Sequence, residues 1–255
     1  MNIDCKVKAL RKCMEINISD IDFLRFGMIT AKAKLDANDQ VSVLIGKAKS
    51  LNTALLIVRL PTHNISLAQD LEKNGAILTD TLIYFQKTKV EKYEVKLPSG
   101  YEKYSAEQED SEKIGLIAAE SFKGYPGHYH ADPRLKQIDC DAVYSSWAKN
   151  SCGKNGLATE VIVLKKNNQI AAFATLKILD TTSYEGVLFG VAPEHQGHGL
   201  HLALMKLSEN WGIENGLEKL ITSTQITNLS AQKNWCRVGM EPLNSFYTFH
   251  LWMNK

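Results

Sequence analysis

The sequence lacks several features that would define a function at once. No apolar run approaches the ~20 residues of a membrane-spanning helix, and the N-terminal residues show no apolar core of a signal peptide. The five cysteines contain no C-x-x-C pair, which excludes a zinc ribbon and is typical of reduced thiols in a cytosolic protein. They are Cys5, Cys13, Cys140, Cys152 and Cys236. We therefore expect a cytoplasmic protein.

Charge of one sign is also lacking. The net charge is +2, and acidic and basic residues are interspersed along the chain. Bulk electrostatics therefore favour neither nucleic acid nor a membrane surface as a partner, and any phosphate site must be local. The partner we expect is a small molecule, and a homodimer is the commonest assembly for such a protein.

What is present is enough apolar sequence for a substantial core, with 44% hydrophobic residues in 255. The segment Leu97-Pro98-Ser99-Gly100 is the strongest boundary signal, because Pro and Gly together interrupt regular structure. It predicts a small α/β domain over residues 1–96 and a larger domain over residues 97–255. Apolar runs predict strands at 54–59, 81–86, 160–164, 170–178, 187–191, 219–224 and 246–252, and helical spacing predicts helices at 67–74, 111–122, 141–150 and 229–237.

The run GVAPEHQGHGLHLALM, from Gly190 to Met205, is the most informative stretch. An apolar strand breaks at Pro193 into a glycine-bearing turn, and a helix follows. Successive backbone N–H groups of such a turn point at one place, and the helix dipole adds to their field, so a diphosphate fits there. The residues concerned are Gln196, Gly197, His198, Gly199, Leu200 and His201. The alternative is an ordinary strand-to-helix connection that needs glycine for its backbone.

Two other phosphate-binding classes do not fit this turn. No Lys-Ser/Thr pair follows the glycines, as a Walker loop requires. No acidic residue follows at the end of a next strand, as a dinucleotide-binding Rossmann unit requires for its ribose.

The loop from Phe122 to Arg134 holds a dense group of polar side chains between two predicted helices. His128 or His130 is suited to accept an amine proton near neutral pH. Arg134 is suited to a phosphate, and we expect Tyr129 and Asp132 to contact substrate with it. Two alternatives stay open: the histidines are hydrogen-bonding loop residues, or they bind metal with Asp132 and Cys140. The metal reading is disfavoured, because no second spaced pair completes a tetrahedral set.

Two further places carry candidate polar groups. Glu185 opens the motif strand, and strand alternation places it on one side with Val187, Phe189 and Val191. A solvated carboxylate at the strand end is the ordinary expectation for such a residue. Thr224 and Gln225 end the neighbouring strand, where they are suited to hydrogen bonds with acyl or sugar groups.

The turn resembles the pyrophosphate loop of the GNAT acyltransferases, whose pattern is Gln/Arg-x-x-Gly-x-Gly/Ala after a strand ending in Val-x-Pro. Gln196 and Gly199 match, whereas His201 stands where the family has Gly or Ala. The resemblance implies an α/β (α+β) fold with a mixed, splayed central sheet flanked by helices, and acyl-CoA as co-substrate without a metal. It also implies that the pantetheine pairs with the strand at Phe189, Gly190 and Val191. A carboxylate near the place of Glu185 often acts as general base in this family, usually through water, so the resemblance makes Glu185 a candidate general base.

The segment from Asn228 to Gly239 resembles a second GNAT signature, in which an Asn meets the pantetheine and a Tyr protonates the leaving thiolate. Trp235 stands in place of that Tyr. An indole N–H has no accessible acidic pKa, so Trp235 is expected to pack against the cofactor or in the core and not to supply a proton. Proton delivery is dispensable where a thiolate, with a pKa of ~8.5, is the leaving group.

Most of the chain resembles one branch of this family, the nucleotide-linked amino-sugar N-acyltransferases of the TDP-fucosamine acetyltransferase type. The likeness rests on Asp80 to Lys87 (DTLIYFQK), Tyr144 and Trp147, Thr224 with Gln225 and Asn228, and Phe246 to Trp252 (FYTFHLW). It implies transfer of an acetyl or short hydroxyacyl group from acyl-CoA to the amine of a dTDP-linked amino-dideoxyhexose, for surface polysaccharide. Three alternatives are an acetyltransferase of another small amine or a protein N-terminus, a non-catalytic CoA-binding regulator, and a zinc-binding interaction module.

Overall fold

The computed structural model describes residues 14–125 and 127–254, which form ten β-strands and seven α-helices. Cys5 and Cys13 lie outside the described residues. Contacts between Cα atoms divide the chain into two units, one of Met1–Leu78 with Phe249–Lys255 and one of Thr79–Thr248. These contact-based boundaries differ from the domain boundary predicted after residue 96. The predicted boundary stays a prediction.

The first unit is a small α/β structure. Its elements are β1 (Ile16–Ile18), α1 (Asp20–Phe26), β2 (Thr30–Lys34), α2 (Val41–Ser50), β3 (Leu55–Pro61) and α3 (Ile65–Lys73). β1 pairs antiparallel with β2, and β2 pairs parallel with β3 across the α2 connection. Val41, Leu44 and Ala48 are buried on one face of α2, as the helical period requires.

The second unit holds the rest of the regular structure. Its elements are β4 (Ile77–Lys87), β5 (Tyr101–Ser105), α4 (Ser111–Ser121), α5 (Gln137–Asn150), β6 (Glu160–Lys166), β7 (Gln169–Ile178), β8 (Ser183–Val191), α6 (Leu200–Glu214), β9 (Lys219–Gln225), α7 (Leu229–Arg237) and β10 (Glu241–Trp252). The first two residues of β4 and the last four of β10 belong to the first unit.

The sheet of the second unit is mixed, as predicted. Its strands lie in the order β4, β9, β8, β7, β6, β5, and β10 lies beside β4. β8 and β9 are parallel, whereas the pairs β4–β9, β5–β6, β6–β7 and β7–β8 are antiparallel. Asn167 and Asn168, both with positive φ, form the tight turn between β6 and β7.

Helices cover both faces of this sheet and define two apolar clusters. The α6 cluster includes Tyr184, Leu204, Trp211, Leu220 and Trp235. The α4 cluster includes Ile114, Ala148, Val163, Phe173 and Leu188. Successive residues of a strand face opposite sides of the sheet. The cluster that a β8 side chain contacts therefore shows which side it occupies.

Candidate active site

The parallel strands β8 and β9 separate part-way along their length. Their pairing runs from Ser183 opposite Lys219 to Gly186 opposite Thr222, whereas β8 stays paired with β7 as far as Val191. The second half of β8 therefore has an edge from which β9 has departed. This is the splay expected from the sequence.

Backbone directions along that half of β8 follow from two hydrogen bonds. The N–H of Leu188 donates to Thr175 Oγ1 at 3.0 Å, and that of Ala192 donates to Ala171 O at 2.9 Å, both toward β7. Backbone N–H groups alternate between the two edges of a strand. The amides of Phe189 and Val191 therefore point to the edge left by β9.

A β-bulge interrupts the alternation of β8, because pairing with β7 passes over Val187. Two glycines show the effect on side-chain direction. A Cβ on Gly186 would meet the ring of Phe189, which packs against the α6 cluster, whereas a Cβ on Gly190 would meet Phe173 in the α4 cluster. In a regular strand these two positions would face the same side.

The bulge corrects one expectation about Glu185. Its neighbour Tyr184 lies in the α6 cluster, so Glu185 points to the opposite face of the sheet. Phe189 and Val191 pack against the α6 cluster. The prediction that Glu185 shares a side with these two residues is wrong, because alternation assumed a strand without a bulge. The role of Glu185 as a base stays a prediction.

The turn before α6 has the backbone of an anion site. Gly197 and Gly199 have positive φ values of 78° and 75°, and Gly199 caps α6. Among the described residues, no carbonyl or side chain accepts a hydrogen bond from the amides of residues 197–202, while the amide of Ala203 begins the helical pattern. Gln196, Gly197, His198 and Gly199 are exposed. We call residues 196–202 the amide cradle.

Side chains around the cradle support it without filling it. Gln196 Nε2 reaches the carbonyl of Val191 at 3.4 Å, and His198 Nδ1 lies 3.0 Å from the carbonyl of Gln196. Leu200 is buried, so it anchors the first turn of α6 in the core. His201 packs its ring 5.5 Å from that of Phe189, and burial lowers the pKa of its imidazole to about 4. His201 is therefore neutral at pH 7 and adds no charge to the cradle.

Asn228 joins the end of β9 to α7. Its Oδ1 caps the helix by accepting from the Ala231 N–H at 3.2 Å, and its Nδ2 donates to Thr224 Oγ1 at 3.0 Å. Tyr125 completes this group, since its hydroxyl lies 2.8 Å from Thr224 Oγ1. Sequence reasoning did not select Tyr125, because only the tertiary fold brings its loop to β9.

Trp235 is 3% exposed and packs in the α6 cluster, with its ring 5.4 Å from that of Phe85. The indole Nε1 is buried and has no hydrogen-bond partner among the described residues. Core packing therefore accounts for the ring, and a contact with the cofactor stays a prediction.

The loop from Phe122 to Arg134, here called the polar loop, follows α4 and places its two histidines in different surroundings. His130 Nε2 lies 2.9 Å from Asp141 Oδ1, and this hydrogen bond holds the pKa of the Asp141 carboxyl below its usual range. Asp141 also accepts from the Gly124 N–H at 3.1 Å. His128 is buried with its ring 3.8 Å from that of Tyr129. His130 thus has the carboxylate partner that orients a general base.

The two other loop candidates have separate positions. Asp132 is fully buried, and its Oδ1 accepts from the backbone N–H of Arg134 at 2.9 Å. Arg134 is exposed. Cys140 is buried, and this burial raises the pKa of its thiol to about 11. Within the described part of the chain, no group of three or more His, Cys, Asp or Glu side chains is arranged to hold a metal ion.

A cavity of about 450 Å³ opens where β9 ends. Its walls are residues 79–81 of β4, residues 225–227, and Gly124, His130 and Ala131 of the polar loop. The structure therefore brings His130 and Gln225 together at one cavity. His128, Tyr129, Asp132, Arg134 and Thr224 are not among the described residues that line it.

Comparison with known proteins decides the family. The model of the Acetyltransferase (GNAT) family matches residues 107–240, more than half of the chain. The chain belongs to the GNAT family. The family transfers acyl groups from acyl-CoA, and the amide cradle with the open edge of β8 fits that co-substrate. The protein is an acyl-CoA-dependent N-acyltransferase.

Individual relatives are more distant. The spore coat polysaccharide biosynthesis protein SpsD of Bacillus subtilis (strain 168) is 24% identical over 214 residues, which are 80% of this chain and 68% of SpsD. A GCN5-related N-acetyltransferase from Sphaerobacter thermophilus superposes with a TM-score of 0.62 at 12% identity, over 94% of this chain and 76% of that one. A conserved protein of unknown function from Staphylococcus epidermidis ATCC 12228 gives 0.63 at 14% identity, over 93% and 90%. These superpositions confirm the GNAT fold.

None of the helices in residues 14–125 and 127–254 has both the length and the apolar character needed to cross a membrane.

Proposed function

We propose that this GNAT protein transfers an acetyl or short hydroxyacyl group from acyl-CoA to the 3- or 4-amino group of a dTDP-linked amino-dideoxyhexose, for surface polysaccharide. The observation that carries the proposal is the cavity at the end of β9. It opens at the end of β9, beyond the last residue that pairs with β8, its walls include Asp80, His130 and Gln225, and its volume is within the range of small-molecule sites.

The similarity to SpsD, a spore coat polysaccharide biosynthesis protein, supports an acceptor linked to polysaccharide. The sequence resemblance to nucleotide-linked amino-sugar acyltransferases narrows this class to a dTDP-linked amine. The polar loop lies beside the cavity through His130 and Gly124, which supports a role over the acceptor.

The proposed reaction proceeds in one ternary complex. The diphosphate of acyl-CoA binds the amide cradle, and the pantetheine pairs with Phe189 and Val191 along the open edge of β8. The acceptor amine attacks the thioester carbon, and the amide of Val191 stabilises the negative charge that forms on the oxygen. The carbon–sulfur bond then breaks.

His130 is the base that we favour among the three candidates. His130 lines the cavity, and its ring is held by the contact of Nε2 with Asp141 Oδ1 at 2.9 Å. It takes the proton that the amine loses, and the coenzyme leaves as a thiolate. Trp235 supplies no proton in this scheme.

Ligand-induced stabilisation tests the acceptor class, because a ligand that binds only the native state raises Tm by mass action. Tm is measured with a dTDP-linked amino-dideoxyhexose, the same nucleotide sugar without the amine, dTDP, and a peptide with a free N-terminus. We expect the amino sugar nucleotide to raise Tm most. A rise with the peptide and none with any nucleotide sugar would contradict the proposal.

A further inference from the structure

Two buried oxygens without hydrogen-bond donors belong to side chains that line the cavity at the end of β9. They are Oδ1 of Asp80 and Oε1 of Gln225, and neither has a partner among the described residues. Gln225 is 6% exposed. A buried acceptor without a donor destabilises the free protein, which makes both oxygens candidates for a ligand's hydrogen bonds.

One hydrogen bond holds these two side chains in a fixed relation. Gln225 Nε2 donates to Asp80 Oδ2 at 3.3 Å. Because the amide nitrogen is turned toward Asp80, the amide oxygen is the remaining polar atom of Gln225. Each side chain therefore uses one polar atom to orient the other and keeps one oxygen as an acceptor.

The charges of the lining residues determine which ligand groups the cavity favours. Asp80 contributes a carboxylate, and no Lys or Arg is found among the described residues that line the walls. An anionic diphosphate would meet a like charge there, and no cation would offset the repulsion. A ligand group rich in N–H and O–H donors finds two acceptors, one of them charged.

We propose that Asp80 and Gln225 bind the hydroxyl and amino donors of the acceptor's sugar ring and keep its diphosphate outside this cavity. This inference rests on the proposed function for the identity of the acceptor. The two oxygen acceptors belong to the protein, so their role in binding hydroxyl and amino donors can be tested with any amine that the protein acylates.

Steady-state kinetics of Asp80→Asn and Gln225→Met, with dTDP as a competitive inhibitor, test this assignment. Asn keeps the shape of Asp80 but removes its charge, so we expect the KM for the amino sugar to rise roughly tenfold or more. Gln225→Met loses a neutral acceptor, and we expect a rise of roughly threefold. In both variants, the KM for acyl-CoA and the inhibition constant of dTDP stay within about twofold of the wild type.

The matched control is Asp20→Asn, which removes the same charge from an exposed position of α1 and leaves every constant unchanged. Acyl-CoA binding reports that each variant is folded. An unchanged KM for the amino sugar in both folded variants overturns the inference while the proposed function stands. A weaker inhibition by dTDP in step with the sugar overturns it as well, because the nucleotide then contacts Asp80.

Failure of the proposed function gives a different result. If no dTDP-linked sugar is acylated and another amine is, the same two variants are compared on that amine. A raised KM for it retains the assignment of Asp80 and Gln225 as the donor-binding pair, and an unchanged KM overturns that assignment.

Discussion

His201 is the residue at which this loop departs from the family pattern. Where a Gly or Ala would leave space, the imidazole packs against Phe189 and is partly buried. The ring acts there as an apolar spacer between the amide cradle and β8. Because a buried imidazole resists protonation, the folded protein is less stable in acid than it would be without His201.

Stability should therefore depend on pH through His201. Burial lowers the pKa of His201 from 6.5 to about 4, so the unfolded chain takes up this proton first as pH falls. The stability is intact above the unfolded pKa and is lost progressively toward the folded one. From about pH 7.5 to about pH 5, we expect a loss of roughly 2 kcal/mol from this group in urea unfolding. His201→Leu should lack this component, and an equal loss in both proteins would refute the assignment.

His130 and Asp141 form the other residue pair with a direct prediction. If His130 is the base, His130→Asn lowers kcat/KM for the acceptor roughly 10²- to 10⁴-fold, with acyl-CoA affinity nearly unchanged. Asp141→Asn should give a smaller loss, because it disturbs the orientation of the ring and leaves the imidazole in place.

The matched controls for that pair are His128→Asn and Glu185→Gln. Both should retain rates near the wild type, since His128 packs on Tyr129 and Glu185 lies on β8 outside the cavity lining. A large loss in Glu185→Gln with none in His130→Asn would move the base to the strand carboxylate.

Local patterns predict some residues of the site and miss others for a physical reason. Gln196 and Gly199 could be predicted, because the residues that form the turn are consecutive in the sequence. His130 and Gln225 follow from loop and strand-end positions. Asp80 and Tyr125 become visible only when distant segments meet, because nothing in the residues next to them differs from an ordinary strand or loop.

At the scale of elements, we propose that α6 and its preceding turn hold the co-substrate. Gly199 has a φ of 75°, and a Cβ there would meet nothing within 4 Å. Gly199→Val therefore strains the backbone without a clash and turns the cradle amides away. We expect the Kd of acyl-CoA, measured by titration calorimetry, to rise roughly tenfold or more.

Gly216, just beyond the other end of α6, is the matched control for that substitution. It has a φ of 71° and equally open space, so Gly216→Val costs a similar amount of stability. Its acyl-CoA affinity should equal that of the wild type. Equal weakening in both variants would show that general destabilisation, and not the cradle, explains the effect.

Long apolar or strongly periodic elements were predictable, and short or irregular ones were not. The helix predicted at 229–237 is α7 (Leu229–Arg237), and the strands predicted at 160–164 and 170–178 are β6 and β7. β1, α1 and β2 carry too few residues for a period to show. The bulge at Val187 leaves the alternation of residue types unchanged, so only the register with β7 reveals it.

At the scale of the whole molecule, the family match and the contacts describe different parts of the chain. The GNAT match, residues 107–240, lies wholly within the second unit. The last strand returns residues from Phe249 onward to the first unit. A boundary predicted from turn residues divides the sequence into two continuous stretches. The first unit defined by contacts contains two separate segments, so the two divisions differ.

The proposed reaction is acyl transfer to the amine of a nucleotide-linked sugar. It is tested most directly by mass spectrometry of a dTDP-linked amino-dideoxyhexose incubated with acetyl-CoA and the protein, with the same sugar lacking the amine as the control. We expect the amino sugar to gain one acetyl group on nitrogen, free coenzyme A to appear in equal amount, and the control to remain unchanged. No acetylated sugar in the presence of a bound acyl-CoA, or acetylation of the control as well, would contradict it.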